Sequence, residues 1–226
     1  LAKGRLDCRR RISHSGLPIH MIQLAGREAG HMAEAARVAE GEGADIIDIN
    51  MGCPAKKVTG GYAGSALMRD VDHALTLINA VVGAVSVPVT LKMRLGWDDS
   101  ALNAPVLARR AEEAGVRMIT VHGRTRCQFY QGQADWRAIA RVKSAVSVPV
   151  VANGDICAAE DARQALELSG ADAVMLGRAN CGAPWMSAQV AEAAGAGPAV
   201  DVPKTGDELA DYVVSHYEAM LDLYGI

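Results

Sequence analysis

The chain has 226 residues, of which 50% are hydrophobic and 22% are charged, and its formal net charge is −3. This composition indicates a globular domain with a large core. The small negative charge excludes a general attraction to nucleic acid, so any such binding needs a local basic patch. No apolar run approaches the length of a membrane span and no signal segment opens the chain, so a cytoplasmic location is expected.

Six short segments rich in β-branched residues are predicted to be strands, at 19–24, 45–50, 88–94, 117–122, 149–153 and 172–176. They lack strict alternation of apolar and polar residues, which predicts a parallel sheet covered on both faces. Amphipathic helices are predicted between them, at 30–42, 70–82, 101–114, 135–145 and 158–168.

The chain contains an internal repeat. The sequence Ala-Val-Ser-Val-Pro-Val at 84–89 recurs at 145–150, and Gly-Ala-Asp at 43–45 recurs at 170–172. Six strand–helix units with this self-similarity favour a TIM (β/α)8 barrel over a doubly wound sheet, although six units are two short of eight. No Gly-x-Gly-x-x-Gly turn follows a strand, so a Rossmann fold is disfavoured.

The segment 48–67 carries the densest chemical signal. Cys53 follows a predicted strand, between Gly52, which permits a tight turn, and Pro54, which fixes it. A lone cysteine is usually a small core residue, but this one is accompanied by Lys56 and Lys57. The five cysteines show no paired metal-ligand spacing, which fits a reducing compartment, and Cys8, Cys127, Cys157 and Cys181 are interpreted as structural or incidental.

Polar residues end all six predicted strands, and in a barrel these ends converge on one face, where catalytic groups are found. Singly, each has a simpler explanation as a core or turn residue; together they indicate a ligand site. Asn153-Gly154-Asp155 and Gly177-Arg178 follow the last two strands, where barrels commonly bind phosphate. The set is Gln23, Asn50, Cys53, Lys92, Arg94, His122, Arg124, Asn153, Gly154, Asp155, Gly177 and Arg178.

These blocks resemble the bacterial tRNA-dihydrouridine synthases, most nearly the DusB type. The resemblance rests on Asn-Met-Gly-Cys-Pro at 50–54, Leu-Lys-Met-Arg at 91–94, His-Gly-Arg-Thr-Arg at 122–126, Asn-Gly-Asp at 153–155 and Gly-Arg at 177–178, and it covers nearly the whole chain in one order. It implies an FMN-dependent enzyme that uses NADPH to reduce uridines of tRNA to 5,6-dihydrouridine.

The resemblance also implies residue roles. Reduced flavin gives a hydride to uracil C6, and Cys53 matches the acid that protonates C5; an ordinary thiol is mostly protonated at neutral pH. Lys92 matches a lysine that contacts the flavin ring. Gln23, Asn50 and His122 resemble residues lining the flavin site, and Asn153, Gly154, Asp155, Gly177 and Arg178 resemble its phosphate site. Lys56, Lys57, Arg124, Thr125 and Arg126 are expected to hold RNA phosphates around the mouth.

The sequence differs from the family pattern at both ends. We expect the first two barrel strands to be missing, residues 1–195 to form the incomplete FMN-binding barrel, and residues 196–226 to begin a C-terminal helical tRNA-binding domain. Two alternatives stay open: a non-catalytic barrel fragment or regulatory protein that keeps the motifs, and another FMN barrel enzyme such as a dihydroorotate dehydrogenase. Cys53 together with Lys92 favours the tRNA-modifying enzyme over the latter.

Overall fold

A computed structural model describes residues 18–225, and Cys8 and the first part of the predicted barrel domain lie outside that range. The described residues form one six-stranded parallel sheet whose order in space equals the order in the chain. The strands are β1 (Met21–Leu24), β2 (Ile46–Met51), β3 (Val89–Arg94), β4 (Met118–His122), β5 (Val150–Asn153) and β6 (Ala173–Met175). A doubly wound sheet reverses its strand order, whereas a (β/α)8 barrel does not. The predicted barrel architecture is therefore confirmed, with six of its eight strands present in the described part.

Helices follow the strands as the periodicity predicts. They are α1 (Ala29–Gly41), α2 (Lys56–Thr59), α3 (Val71–Val82), α4 (Ala104–Glu113), α5 (Trp136–Lys143), α6 (Ala159–Ser169), α7 (Met186–Ala193) and α8 (Gly206–Tyr224), with 3-10 turns at Gly64–Arg69 and Arg178–Asn180. Asp70 and Asp135 cap α3 and α5 by accepting the backbone N–H groups of His73 and Ala138. None of the helices within residues 18–225 combines the length and apolarity needed to cross a bilayer.

The two faces of the sheet differ in polarity. In β3, Val89, Leu91 and Met93 join the apolar core, while Thr90, Lys92 and Arg94 alternate with them. The polar residues contact polar residues of other strands: Thr90 donates to Asp48 of the adjacent β2, and Lys92 reaches past β4 to Asn153 of β5. The predicted parallel sheet is confirmed; β3 alternates apolar and polar residue types, yet nearly all of it is buried, as expected of a strand covered on both faces. One face packs on the helices, and the other carries polar side chains towards its carboxyl end.

The internal repeat has a structural counterpart. Oε1 of Glu40, from α1, accepts the backbone N–H groups of Ser86 and Val87 at 2.7 and 3.1 Å. Oε1 of Glu112, from α4, accepts those of Ser147 and Val148 at 2.9 and 3.0 Å. Each copy of the repeat is thus held by a glutamate from an earlier helix, which fixes the entry of the chain into β3 and β5.

The C-terminal helix α8 has no buried residue. Its Tyr212 packs edge-on against Trp185, with ring centroids 5.3 Å apart. The large apolar and aromatic side chains exposed along it are Leu209, Tyr212, Val213, Val214, Tyr217, Met220, Leu223 and Tyr224. A helix that is exposed along most of its length agrees with the expectation that 196–226 begins a second domain, which stays a prediction.

Candidate functional site

The turn that carries Cys53 is held by side chains at the end of β2. Oδ1 of Asn50 accepts the backbone N–H groups of Gly52 and Cys53 at 3.1 and 2.9 Å. Nδ2 of Asn50 donates to Oε1 of Gln23 at 2.7 Å, and Ser65 donates from its backbone and its hydroxyl to the Cys53 carbonyl. The thiol is half-buried. Its position is therefore fixed by four hydrogen bonds to the turn's backbone.

A buried carboxylate, which the sequence reasoning did not select, organises the same strands. Asp48 accepts hydrogen bonds from Gln23 Nε2 and from the Thr90 hydroxyl, both at 2.6 Å. Burial raises the pKa of Asp48, while the bonds from Thr90 and Gln23 partly oppose that rise. Asp48 and Asn50 are two residues apart in β2 and so lie on the same face of the sheet. This spacing could have identified Asp48 from the sequence.

The surroundings of Lys92 and His122 lower the pKa of both side chains. Nζ of Lys92 donates to Oδ1 of Asn153 at 3.0 Å. Burial, and then the nearby charge of Arg94, lower the pKa of Lys92 to about 8, while Asp48 and Cys53 oppose the shift. Burial also lowers the pKa of His122 to about 3, helped by the charges of Arg94, Lys92 and Arg124. At neutral pH, His122 is therefore a neutral imidazole and Lys92 a cation that gives up its proton readily.

Arg94, at the end of β3, joins two loops of the site. It is 1% exposed, and its Nε donates to the Gly52 carbonyl at 2.9 Å. Its Nη1 donates to the carbonyls of Thr125 and Phe129 at 2.8 and 2.9 Å. The sequence placed Arg94 among the strand ends but gave it no role; the structure shows that it ties the Cys53 turn to the loop after β4.

The loops after β4 and β5 are joined by a second buried arginine. Arg124 is 2% exposed, and it donates to both carboxylate oxygens of Asp155 at 2.8 and 2.5 Å. It also contacts Nε2 of His122 at 3.3 Å, where the ring nitrogen must be the acceptor because a guanidinium only donates. The pKa of Asp155 is lowered because burial, which raises it, is outweighed by the bonds from Arg124 and the Ala134 N–H.

A cavity of about 550 Å³ opens beside these groups. It contains seven of the residues selected from the sequence: Lys92, His122, Asn153, Gly154, Asp155, Gly177 and Arg178. Tyr130, which the sequence did not select, also lines it. Gln23, Asn50 and Cys53 are not part of this lining, but Asn50 is the register neighbour of Lys92 on the adjacent strand. The strand ends thus form one continuous site.

The far end of the cavity is suited to an anion. Arg178 is 64% exposed at its side chain and lies over the Tyr130 ring, with its guanidinium carbon 4.6 Å from the centroid. Its contact with Asp155 is long, at 3.5 Å. Within the described residues, the backbone N–H groups of Gly177 and Arg178 donate to no backbone acceptor. By contrast, the Asp155 carboxylate is anionic and unsuited to bind phosphate directly.

The predicted basic rim is only partly present. Lys56 and Lys57 are exposed at the start of α2, and Arg126 is half-buried. Arg124 and Thr125, however, are 2% and 1% exposed. The Asp155 pair buries Arg124, and the Thr125 hydroxyl accepts the Gln128 N–H within a turn. The expectation that Arg124 and Thr125 hold RNA phosphates conflicts with this burial, because neither side chain reaches the surface.

Comparison with known proteins agrees with this arrangement. The sequence profile of the family described as "Dihydrouridine synthase (Dus)" matches residues 5–226. The chain is 64% identical to a probable tRNA-dihydrouridine synthase of Rhodobacter capsulatus, over 93% of this chain and 64% of that protein. It is 48% identical to tRNA-dihydrouridine synthase B of Xanthomonas axonopodis pv. citri, over 95% of this chain and 65% of that protein. The chain spans just under two thirds of the length of these relatives.

Solved structures with a similar fold are more distant. N-succinyl Arg/Lys racemase from Bacillus cereus superposes with a TM-score of 0.58 at 20% identity, over 83% of this chain and 45% of that one. Dipeptide epimerase from Enterococcus faecalis gives 0.54 at 16% identity, over 77% and 42%. These likenesses concern the fold alone. The family match, in contrast, covers nearly the whole sequence, and the chain belongs to the dihydrouridine synthase family.

Proposed function

We propose that this member of the dihydrouridine synthase family reduces uridine in tRNA to 5,6-dihydrouridine, with FMN as cofactor and NADPH as electron donor. The observation that carries the proposal is the continuous polar site, in which the fixed Cys53 turn adjoins a cavity lined by Lys92 and His122. The names of relatives 48–64% identical to the chain support the same activity.

The residues present fit a flavin mononucleotide. The cavity volume of about 550 Å³ lies within the usual range for organic ligands. Lys92 brings a largely buried cation to its wall, and among residues 18–225 its hydrogen-bond partner is the neutral Asn153 alone, so an electron-rich ring edge beside it is favoured. Arg178 and the backbone N–H groups of Gly177 and Arg178 would hold the phosphate.

The chain's own contribution to the chemistry is acid catalysis and positioning. When bound, FMN would supply the two electrons as a hydride to uracil C6. Cys53 would give its thiol proton to C5, so that one hydride and one proton together saturate the C5–C6 bond. Asn50 would hold Cys53 in place through the turn's N–H groups. Neutral His122 would donate a hydrogen bond from Nδ1, since its Nε2 accepts from Arg124.

The uridine must leave the RNA stack to reach this site. We propose that Lys56, Lys57 and Arg126 hold the RNA backbone around the mouth, and that residues 196–226 begin a helical domain which grips tRNA. The exposed α8 supports the second point, because its apolar side chains need a further packing partner. A cytoplasmic location follows from the same proposal, because that is where the tRNA of bacteria is found.

The first test is the absorption spectrum of the purified protein, in which bound flavin gives a band near ~450 nm from its own chemistry. The second separates the half-reactions by stopped flow. Cys53→Ala should leave reduction of the flavin by NADPH intact and slow its reoxidation by tRNA by roughly 10²–10⁴-fold. Cys181→Ala, which removes an exposed thiol, is the matched control. A colourless protein, or equal loss in both half-reactions, would contradict the proposal.

A further inference from the structure

A cluster of two arginines and a tryptophan lies at the same end of the sheet as Cys53. Trp97 is in the loop after β3, Arg69 ends the 3-10 turn after β2, and Arg126 is in the loop after β4. The guanidinium carbons of Arg69 and Arg126 are each 4.9 Å from the centroid of the Trp97 ring. The two positive charges therefore lie within twice that distance of each other.

The cluster is built by the protein's own hydrogen bonds. The backbone N–H groups of Arg126 and Cys127 donate to the carbonyls of Gly96 and Trp97 at 3.0 and 2.9 Å. Nδ2 of Asn103 donates to the carbonyl of Met68, next to Arg69, at 2.6 Å. Three separate loops are thus fixed around one indole ring, which makes the cluster preorganised for a ligand.

The charges of the cluster are not balanced. Neither Arg69 nor Arg126 forms an ion pair with any residue in 18–225, and Nε of Arg126 is buried without an acceptor there. Asp98, which follows Trp97, accepts instead from Ser100 at 2.6 Å. Contact with the aromatic face stabilises each cation, but it leaves both charges without an anionic partner within residues 18–225. An anion that contacts both guanidinium groups would balance their charge.

We propose that Arg69, Trp97 and Arg126 bind one phosphodiester group of the RNA substrate. The proposal rests on the proposed function for the identity of the polymer, and it adds Arg69 and Trp97 to the contacts predicted from the sequence. An RNA whose uridine enters the site beside Cys53 carries its neighbouring phosphates across the loops after β2, β3 and β4. Because each guanidinium lies 4.9 Å from the centroid of the same ring, Trp97 would position both side chains for that phosphate.

The test measures the affinity for an unmodified tRNA transcript at several salt concentrations. Arg69→Gln and Arg126→Gln should each weaken binding about tenfold to a hundredfold, as expected for loss of a charge-assisted contact. Each should also make the slope of log K against log salt less steep, by about the contribution of one phosphate contact. Because both side chains hold the same phosphate, the double variant should reduce the slope no further than either single one.

The matched control is Arg117→Gln. Arg117 is exposed and directly precedes β4, at the opposite end of the sheet, so its loss should leave affinity and slope unchanged. Trp97→Phe, which keeps an aromatic face, should bind nearly as well as the wild type, whereas Trp97→Ala should match the arginine variants.

Several results would overturn the proposal. Unchanged tRNA affinity in both arginine variants would place the RNA elsewhere and leave an acidic protein partner as the anion. A slope that falls twice as far in the double variant would exclude a shared phosphate. Loss of bound flavin in the arginine variants would assign the cluster to the cofactor. Since binding is measured without turnover, a protein that binds tRNA through this cluster but lacks flavin would refute the proposed function and not this inference.

Discussion

Arg94→Met tests whether one buried arginine holds the catalytic turn in place. Methionine keeps much of the apolar stem and removes the guanidinium. The change deprives the carbonyls of Gly52, Thr125 and Phe129 of their donor. The first two bonds are buried, and the third is only partly buried, so water can replace it.

The magnitude follows from those environments. Each buried carbonyl left without a partner costs about 1–3 kcal/mol, so Gly52 and Thr125 together cost about 2–6 kcal/mol. Removing a buried charge recovers part of this, because the guanidinium no longer has to be desolvated. We expect Arg94→Met to lower the free energy of unfolding by about 3 kcal/mol. Arg110→Met, which breaks the exposed pair with Asp72, should lower it by less than about 1 kcal/mol.

Urea denaturation measures both variants, and alkylation of Cys53 followed by peptide mapping measures the turn. With Gly52 released, iodoacetamide should label Cys53 faster in Arg94→Met than in the wild type or in Arg110→Met. Equal stability of the two variants would show that Arg94 is not a structural tie. A large loss of stability with unchanged labelling of Cys53 would show that the arginine stabilises the loop after β4 alone.

Three further predictions concern charge and backbone. The pKa of Lys92 in the folded protein, about 8, lies below the ordinary lysine value of 10.5. Between these two values the unfolded state binds more protons, so the stability relative to Lys92→Met should rise as pH rises through that window, as urea titrations at several pH values will show. For His122 the pKa of about 3 predicts no titration of its ring signals by NMR between about pH 5 and 8, and a titrating signal would mean that water reaches the ring. Gly154→Ala should cost clearly more in thermal denaturation than Gly132→Ala, because both residues have positive φ but only at Gly154 would a Cβ meet Ala134 and the His122 ring, at 2.8 and 2.9 Å; equal losses would mean that the His122 side chain moves aside freely.

The order of the elements could be predicted from the sequence because each strand is short, apolar and followed by an amphipathic helix. The ends of the six predicted strands lie within two residues of the ends of β1 to β6. The polar ends of the strands could also be predicted, since parallel strands bring their carboxyl ends to one edge. Lys92, His122, Asn153 and Arg178 accordingly line one cavity.

The pairing of charges could not be predicted, because it depends on which loops touch. Arg124 and Arg126 are two residues apart and look alike in sequence, yet Arg124 is buried against Asp155 while Arg126 lies over Trp97. The Asp155 carboxylate, which follows the next strand, accepts two hydrogen bonds from Arg124 and keeps it away from the surface. Nothing within the His-Gly-Arg-Thr-Arg block distinguishes the two positions, since their partners lie in other loops.

The site's cations therefore divide into two groups with different tasks. Arg94 and Arg124 use their N–H groups on carbonyls and on Asp155, so they fix the loops. Lys92 and Arg178 line the cavity, one bonded to a neutral amide and the other only loosely paired. Neither Lys92 nor Arg178 is closely paired with a carboxylate, so together they make the cavity wall attractive to an anionic ligand. This holds even though the whole chain has a net charge of −3. Burial keeps His122 neutral, and the charges of Arg94 and Arg124 add to the cost of a further positive charge there. The buried Arg94 and Arg124 therefore hold the loops, whereas Lys92 and Arg178, which line the cavity, are the cations that a ligand can contact.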